Sequence, residues 1–290
     1  MTFSVLIVNY ASWPLTLRCI ESLYRTGYED FETIVVDNDT VEVPELPSSV
    51  RLIRNKQNLG FARAHNRGIA ASGGDRLVLL NPDTIVGGDF FEILESFFAE
   101  NPKVGIVGPR ILDADGQLQL SARREISALS GFLGRTSLLT RLSPKSSLVK
   151  SQFPAVTDQS HPTSVDWVSG ACMAIRRETL RDIGSLDERF FMYFEDADIC
   201  RRARLAGWLV YYLPRAEIIH HTGASSRSKP RAVWLLHKSA FLYHRKYGAH
   251  GPLNVLSAAV LAGLTLRALA KLGTSLLRTG ATQDHDIVEQ

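Results

Sequence analysis

The sequence predicts an α/β fold in which a mainly parallel sheet is flanked by helices and followed by a helical C-terminal tail. Short β-rich apolar runs alternate with segments of helical periodicity in the N-terminal part of the chain. Continuous apolar strands of this kind are typical of a parallel sheet that helices cover on both faces. Polar or acidic residues directly follow several of these runs, at the sheet edge where open α/β folds bind their ligands.

The N-terminal elements follow one another at short intervals. The first predicted strand covers Phe3–Val8, and Pro14 opens a helix because proline favours the first helical turn. Leu17, Ile20 and Leu23 recur on one face of that helix. The further elements predicted in this part are strands at Phe31–Val36, Val50–Ile53 and Arg76–Leu80 and helices at residues 60–71 and 90–99.

The C-terminal part is less regular. The periodicity weakens over residues 121–164, which we expect to form a loop over the site, and returns over residues 165–175. We expect one large domain over residues 1–250 and a helical tail over residues 251–290. The elements predicted in this part are a helix at 197–206 that ends at Gly207, strands at 208–213 and 216–219, and a helix at 231–247.

The tail carries an amphipathic helical pattern that falls short of a membrane span. Arg267, Lys271 and Arg278 form a basic stripe opposite leucines and alanines. Such a helix predicts peripheral contact with a membrane surface that bears anionic lipid. The same pattern also fits a helix that docks on the protein's own core, and the sequence does not decide between the two.

Bulk composition limits the class of protein. The 290 residues include 33 Lys plus Arg and 30 Asp plus Glu, and the net charge of +3 is too small to indicate a nucleic-acid partner. The three cysteines lie far apart in sequence and favour a reducing compartment. The N-terminus has no basic start or cleavage site typical of a signal peptide. We therefore expect a cytoplasmic protein.

One group of residues is suited to a divalent cation. Asp83 follows an apolar strand and the rigid Asn81-Pro82 step, so its carboxylate should project from the sheet edge. Carboxylate oxygen, sometimes assisted by imidazole, holds a hard cation that neutralises a diphosphate leaving group. His220 or His221, at a strand end before a glycine turn, offers that imidazole. The alternatives to a metal site are purely structural roles: a common Asn-Pro-Asp turn and a structural histidine pair.

A second group is suited to removing a proton. Glu195 and Asp196 follow the aromatic run at residues 190–194, and apolar rings raise the basicity of a neighbouring carboxylate. A positioned carboxylate is a suitable general base for an acceptor hydroxyl. Acidic residues at a helix start also act as caps, so one acid is free to cap while the other does chemistry.

Several short motifs follow one another along the chain in a fixed order. The N-terminal blocks are Val5-Leu6-Ile7-Val8-Asn9-Tyr10, Val35-Val36-Asp37-Asn38, Asn58-Leu59-Gly60-Phe61-Ala62 and Leu79-Leu80-Asn81-Pro82-Asp83. The C-terminal blocks are Ser169-Gly170-Ala171, Gly184-Ser185-Leu186-Asp187-Glu188, Phe191-Met192-Tyr193-Phe194-Glu195-Asp196 and His220. Each block alone is weak, whereas the ordered set, from about residue 3 to residue 250, is specific. This set resembles glycosyltransferase family 2, and within it the bacterial rhamnosyltransferase-type enzymes of cell-wall and O-antigen synthesis.

The resemblance implies a GT-A fold over residues 1–250, an inverting single-displacement reaction and one Mg²⁺ or Mn²⁺ ion. Asp83 corresponds to the metal-binding aspartate of the family's DXD motif, and Asn81 replaces the first acid of that motif, which leaves fewer carboxylates for the metal. His220 would be the second metal or diphosphate contact, with His221 as the alternative. Asp196 would be the catalytic base and Glu195 its support. The residues that would face the nucleotide are Asn9, Tyr10, Asp37, Asn58, Gly60, Phe61 and Asn81.

The rhamnosyltransferase-like pattern implies dTDP-L-rhamnose as the donor and a cell-envelope glycan or polyprenyl-linked glycan as the acceptor, at the inner face of the cytoplasmic membrane. Related pockets accept UDP-hexoses or UDP-N-acetylhexosamines. A nucleotidyltransferase is a further alternative, but the N-terminus has no glycine-rich phosphate loop with a basic residue. A non-catalytic subunit that binds sugar nucleotides on the same fold is the alternative from another class of protein.

Overall fold

The structure is a computed structural model, and it describes most of the chain. The described residues are 2–38, 41–124, 160–221 and 229–248, together with Gly263 and Thr265. Most of the predicted loop at residues 121–164 lies outside them. The predicted boundary at residue 250 and nearly all of the tail at 251–290, with its basic stripe, also lie outside the described residues.

The chain forms two compact units. The first combines Met1–Asp187 with Glu195–Ser225. The second combines Glu188–Phe194 with Ser226–Gln290. Among the helices that the structure describes, none combines the length and the apolar character that a membrane span requires.

The described part of the first unit contains a nine-stranded mixed sheet with the strand order β3-β2-β1-β4-β10-β6-β11-β5, and β8 pairs with β11. Six of these strands run in one direction and β5, β8 and β10 run against them. A short ribbon pairs β7 with β9. The strands are β1 Phe3–Asn9, β2 Phe31–Asn38, β3 Val50–Asn55, β4 Arg76–Leu80, β5 Thr84–Val86, β6 Val104–Leu112, β7 Ala122–Arg123, β8 Thr163–Ser164, β9 Trp167–Val168, β10 Cys172–Arg176 and β11 Leu209–His220.

Helices cover both faces of the sheet, which confirms the predicted α/β class. Alternate side chains of a strand enter opposite cores: Val5 and Ile7 join one cluster with residues of α1 and α3, and Leu6 joins the other with residues of α2 and α5. Pro14 lies in the first turn of α1, as its fixed φ favours. The helices of this unit are α1 Trp13–Arg25, α2 Gly60–Ala71, α3 Phe90–Glu100, α4 Arg177–Ile183 and α5 Glu195–Leu205.

The prediction of two strands at 208–213 and 216–219 was wrong, because β11 runs continuously from Leu209 to His220. The sequence break at Pro214 coincides with a shift in the pairing of β11 with β6 between Leu213 and Glu217. A proline has no N–H to donate, and a register shift is a place where a strand tolerates it. The irregularity therefore lies inside one strand rather than between two.

The second unit is built around α6, Lys229–Tyr247, which contacts the aromatic segment 188–194 of the same unit. Ser239 Oγ donates to the Met192 carbonyl at 2.8 Å. The rings of Tyr243 and Phe194 lie 5.5 Å apart between their centroids. One face of α6 thus packs against its own unit.

Candidate active site

The carboxyl ends of β1 and β2 hold two polar side chains in direct contact. Asn9 and Asp37 are paired in the register of these strands, and Asn9 Nδ2 donates to Asp37 Oδ1 at 2.8 Å. Asn9 Oδ1 accepts from the Ser12 amide at 3.2 Å and from Thr16 Oγ1 at 2.9 Å. The start of α1 therefore fixes the Asn9 amide, whose Nδ2 in turn orients the Asp37 carboxylate.

Asp37 is fully buried, yet a cation lies near it. Arg54 Nε on β3 is 3.7 Å from Asp37 Oδ2, and the Arg54 side chain is half exposed. Tyr10 follows β1 directly and is half-buried, and Ala11 after it has a φ of 50°. A non-glycine residue in this left-handed region is uncommon, and such strain concentrates at functional edges. The edge thus offers a carboxylate, an aromatic ring and a half-exposed guanidinium.

A network of amides shapes the neighbouring pocket wall. Asn38, the last residue of β2, donates through Nδ2 to Asn58 Oδ1 at 3.1 Å and to the Gly60 carbonyl at 3.1 Å. Asn55 Nδ2 donates to Asn38 Oδ1 at 2.9 Å, and Asn58 Oδ1 accepts from the Gly60 amide at 2.9 Å. Gly60 has a φ of 81°, a conformation that favours glycine. Asn58 and Gly60 thus hold the loop that leads into α2.

Phe61, in the first turn of α2, rests on a buried histidine. The rings of Phe61 and His65 lie 4.1 Å apart between centroids, and His65 Nδ1 is 3.1 Å from the Phe61 carbonyl oxygen. Burial lowers the pKa of His65 to about 4, so the ring is neutral near pH 7. A neutral ring supports Phe61 without adding charge to the pocket.

Asp83 and His220 meet at the ends of β4 and β11. His220 Nε2 is 3.3 Å from Asp83 Oδ1, and both side chains are buried. The backbone amide of His221 donates to the Asp83 carbonyl at 2.9 Å. Of the two histidines that the sequence left open, His220 is the one whose ring faces Asp83.

Gln119 favours the tautomer of His220 in which Nε2, the ring nitrogen that faces Asp83, is an acceptor. Gln119 Nε2 donates to the His220 carbonyl at 2.8 Å, which turns its Oε1 towards His220 Nδ1 at 3.1 Å. A proton on Nδ1 satisfies that contact and leaves a lone pair on Nε2. Asn81 Nδ2, at 3.3 Å from Nε2, is placed to donate to that lone pair.

An imidazole lone pair and a carboxylate oxygen that face each other fit a cation between them. Two ligands at about 2.1 Å from one ion and at right angles are about 3.0 Å apart, close to the separation seen here. No group of three or more His, Cys, Asp or Glu side chains able to hold a metal occurs among the described residues. Mg²⁺ and Mn²⁺ sites with one or two protein ligands take their remaining ligands from substrate phosphates and water. The residues therefore fit a metal that binds together with a diphosphate.

Asp196 lies at the start of α5 with both carboxylate oxygens held by backbone amides. Its Oδ2 accepts from the Gly170 amide at 3.0 Å, and its Oδ1 accepts from the Ala197 amide at 2.8 Å. Desolvation raises the pKa of Asp196, while these two hydrogen bonds and the charge of Arg123 oppose the rise. Each oxygen keeps a lone pair for a proton from an incoming hydroxyl.

Glu195 has a different environment from its neighbour. Only 4 % of Glu195 is exposed, and its Oε2 has no hydrogen-bond partner among the described residues. Desolvation first, and the Asp196 charge second, raise the pKa of Glu195 well above its ordinary value. Tyr193 and Phe194, which directly precede it, have φ angles of 72° and 69°. Glu195 therefore lies at the end of a strained turn, and its pKa is raised by burial and by the neighbouring Asp196.

The backbone segment Ser169–Ala171 contacts both the Asp196 carboxylate and the turn that carries Asp83. The Gly170 amide donates to Asp196, and the next residue, Ala171, accepts from the Asn81 amide at 2.9 Å. A Cβ on Gly170 would lie 3.4 Å from Phe61 Cζ and 3.5 Å from Asp196 Cβ. Adjacent residues thus contact the Asn81–Asp83 turn, the Asp196 carboxylate and the Phe61 ring at one end of the sheet.

Several contributors to this site carry no sequence signal of their own. Gln119 follows the irregular end of β6, and Ser12 and Thr16 read as ordinary residues of a helix start. Arg123 on β7 lies over the Trp167 ring at 4.9 Å and places a positive charge near Asp196.

The sheet topology and the helices on both faces of the sheet identify the GT-A fold of glycosyltransferases. Solved structures support the fold. S. aureus TarS 1–349 in complex with UDP-GlcNAc aligns with a TM-score of 0.58 and 14% identity, over 93% of this chain and 73% of that one. The mannosyltransferase PcManGT from Pyrobaculum calidifontis, in complex with GDP-Man and Mn²⁺, aligns with a TM-score of 0.55 and 17% identity, over 97% and 79%.

The chain belongs to glycosyltransferase like family 2, whose profile matches residues 2–240. It is 31% identical over 257 residues to the N-acetylglucosaminyl-diphospho-decaprenol L-rhamnosyltransferase of Mycobacterium tuberculosis, and this alignment covers 82% of each chain. It is 24% identical over 250 residues to the rhamnosyltransferase WbbL of Escherichia coli, and that alignment covers 82% of this chain and 91% of the relative. The predicted family and enzyme class are confirmed.

Proposed function

We propose that this enzyme transfers L-rhamnose from dTDP-L-rhamnose, with inversion, to a hydroxyl of a cell-envelope or polyprenyl-linked glycan. The observation that carries the proposal is the Ser169–Ala171 segment, whose adjacent residues contact Asp196 and the turn that bears Asp83. A base for the acceptor and a cation site for the leaving group therefore share one end of the sheet. The choice of rhamnose rests on the names of the two relatives.

The donor is held by its nucleotide. Asn9, Tyr10 and Asp37 face the nucleoside, and Asn58, Gly60 and Phe61 form the wall beside it. Asp83 and His220 would hold the Mg²⁺ or Mn²⁺ ion, and Asn81 contacts the His220 ring of the same cluster. When bound, the ion supplies positive charge that stabilises the departing nucleoside diphosphate.

The chemistry of the chain's own residues is a single displacement. Asp196 orients the acceptor hydroxyl and takes its proton as the oxygen attacks the anomeric carbon. The bond from that carbon to the diphosphate oxygen breaks on the opposite side, which inverts the configuration. Glu195 is buried beside Asp196 with a raised pKa, and it supports the base or the orientation of the acceptor. The burial of this pair excludes water that would otherwise hydrolyse the donor.

A second candidate differs only in the donor. The solved complex of TarS with UDP-GlcNAc favours a UDP-N-acetylhexosamine or UDP-hexose on the same fold. The pocket residues named for the nucleoside contact its base and ribose rather than the sugar. The donor must therefore be identified by measurement.

A thermal-shift panel with dTDP-, UDP- and GDP-sugars, each with and without Mn²⁺, tests the proposal. Because a ligand that binds only the folded state stabilises it by about 2.7 kcal/mol at 100 times Kd, the true donor raises Tm most. The expected result is a Mn²⁺-dependent shift with dTDP-L-rhamnose, followed by release of dTDP when a lipid-linked acceptor is added. A larger shift with UDP-sugars selects the second candidate.

The same panel separates the remaining alternatives. Donor binding without turnover, even with extracts that contain lipid-linked acceptors, supports a non-catalytic sugar-nucleotide-binding subunit. Release of pyrophosphate from a sugar phosphate and a nucleoside triphosphate supports nucleotidyl transfer. We place the enzyme in the cytoplasm at the inner membrane face, with residues 1–250 as the GT-A domain. The amphipathic tail at 251–290 is its proposed membrane contact.

A further inference from the structure

The positive charge of the chain is concentrated in α6. This helix contains five of the 33 Lys plus Arg residues and no Asp or Glu. The 28 that remain are outnumbered by the 30 Asp plus Glu, so the rest of the chain is slightly acidic. A net charge of +3 for the whole chain hides this asymmetry. The average charge of the chain therefore does not reveal the local excess of positive charge on this helix.

Four exposed side chains of α6 lie on one helix face, and we call them the α6 stripe: Arg231, Trp234, Lys238 and Arg245. They are spaced by three, four and seven residues, which places them within one narrow sector of a helix. Trp234 is 65% exposed, the most exposed Trp or Phe among the described residues. Half-buried Leu235, Phe241 and Leu242 border the stripe.

The stripe is distinct from the face by which α6 packs on its own unit. His237, Ser239 and Tyr243 are buried on that other face, where Ser239 bonds to Met192. Arg231 is partly engaged, since its guanidinium carbon lies 5.7 Å from the Phe191 ring centroid. The helix therefore has its internal contacts satisfied while Trp234, Lys238 and Arg245 face outwards.

We propose that the α6 stripe binds the surface of an anionic phospholipid bilayer. Lys and Arg attract the phosphate and carboxylate groups of such a surface, and each contributes about fivefold to binding. Tryptophan prefers the boundary between headgroups and acyl chains, and Leu235, Phe241 and Leu242 extend the apolar contact beside it. A purely electrostatic partner such as a nucleic acid does not require these apolar neighbours. The proposal concerns α6 alone and is independent of the donor, of the reaction and of the tail.

Vesicle co-sedimentation of the full chain tests the proposal. Phosphatidylcholine vesicles with 30–40% phosphatidylglycerol, as a rough composition for an anionic surface, are compared with pure phosphatidylcholine at two salt concentrations. We expect binding to the anionic vesicles that weakens as salt rises. Brominated acyl chains should quench Trp234 fluorescence, and the quenching should be lost in Trp234→Phe.

Two paired variants assign the binding to α6. The test variant is Lys238→Gln with Arg245→Gln, in which Arg231 is kept because of its contact with Phe191. The matched control is Lys103→Gln with Arg215→Gln, which removes two exposed basic residues of the other unit. Removal of two stripe charges should weaken binding by roughly 25-fold, and the control should change it less than about twofold. The tail is retained in every variant, so the difference reports on α6.

Three outcomes would overturn the proposal. The first is equal binding to phosphatidylglycerol and phosphatidylcholine vesicles, and the second is an equal loss in the test and control variants. The third is displacement of the protein from vesicles by RNA at matched phosphate concentration, which would reassign the stripe to nucleic acid. Since no donor or acceptor is present, none of these results depends on rhamnosyl transfer.

Discussion

At the residue scale, replacement of the carboxyl by an amide should have very different effects on activity at the adjacent residues Glu195 and Asp196. Asp196→Asn removes the base and sets an amide N–H against one of two backbone donors, so we expect a loss of roughly 10²–10⁴-fold in kcat. Glu195→Gln replaces a carboxyl whose raised pKa favours its neutral form by an amide of the same shape, and it should retain most of the activity. Initial rates at saturating donor measure both. Equal losses in the two variants would contradict the assignment of Glu195 as the protonated member.

Gln119 is a positioning residue for His220, and its substitution should appear in metal affinity. Gln119→Met removes the acceptor at Nδ1 and the donor to the His220 carbonyl, and loss of such an outer contact costs about 10–100-fold in metal affinity. The measurement is the Mn²⁺ concentration at half-maximal donor-induced Tm shift. Gln117→Met, at an exposed position nearby, is the matched control. An unchanged Mn²⁺ requirement in Gln119→Met would remove Gln119 from this role.

At the scale of elements, the sequence predicted what local pattern controls and missed what close packing controls. Apolar runs located β1, β2, β3 and β4, and helical spacing located α1, α2 and α3. Strand β6, in the middle of the sheet, was missed because glycines and a proline interrupt its run. A Cβ at Gly105 would lie 2.5 Å from Thr179 Oγ1, and one at Gly108 would lie 2.5 Å from Val168 Cβ. Glycine is required at these positions by close contacts with residues distant in sequence, and a local sequence pattern does not contain that information.

The candidate site divides in the same way. Motif order singled out Asp83, Asp196 and Asn9, because polar residues after apolar runs are visible in a sequence. The partners that orient them, Gln119 and Gly170, come from segments whose approach depends on the folded sheet. The position of Asp196 relative to Asn81 likewise depends on one backbone segment, and roles assigned by resemblance alone stay predictions until variants are measured.

Gly108 tests the link between packing and the site. Gly108→Ala forces a methyl group against Val168, which directly precedes the Ser169–Ala171 segment, and overpacking of this kind costs about 1–3 kcal/mol. Urea unfolding measures the loss of stability, and kcat should fall if the segment shifts. Gly88→Ala is the control, since a Cβ there meets nothing within 4 Å. Equal stability of the two variants would show that β6 and β9 can move apart enough to accommodate the methyl group at little cost in free energy.

At the scale of the whole molecule, the free energy of unfolding should record the cost of burying the catalytic pair. A carboxyl whose pKa is raised in the folded state holds its proton where the unfolded chain has already released it. The native state then binds more protons, so the free energy of unfolding falls as pH rises from the ordinary pKa of Glu195 towards its raised value. Desolvation by burial raises this pKa most, followed by the charges of Asp196 and Asp198.

Glu195→Gln removes this pH dependence because glutamine does not titrate. Below the ordinary pKa of Glu195, where the residue is mostly protonated in both states, the variant and the native chain should be about equally stable. As pH rises above that pKa towards the raised pKa of the folded state, the variant should become progressively more stable than the native chain. Urea unfolding at pH 4, 5.5, 7 and 8 measures the difference, and parallel profiles would mean that Glu195 ionises normally in the fold. In an Asp196→Asn background the gain should shrink, since the Asp196 charge is the second cause of the raised pKa. A more stable protein that keeps most of its activity would assign the pH-dependent loss of stability to Glu195 and the proton transfer to Asp196.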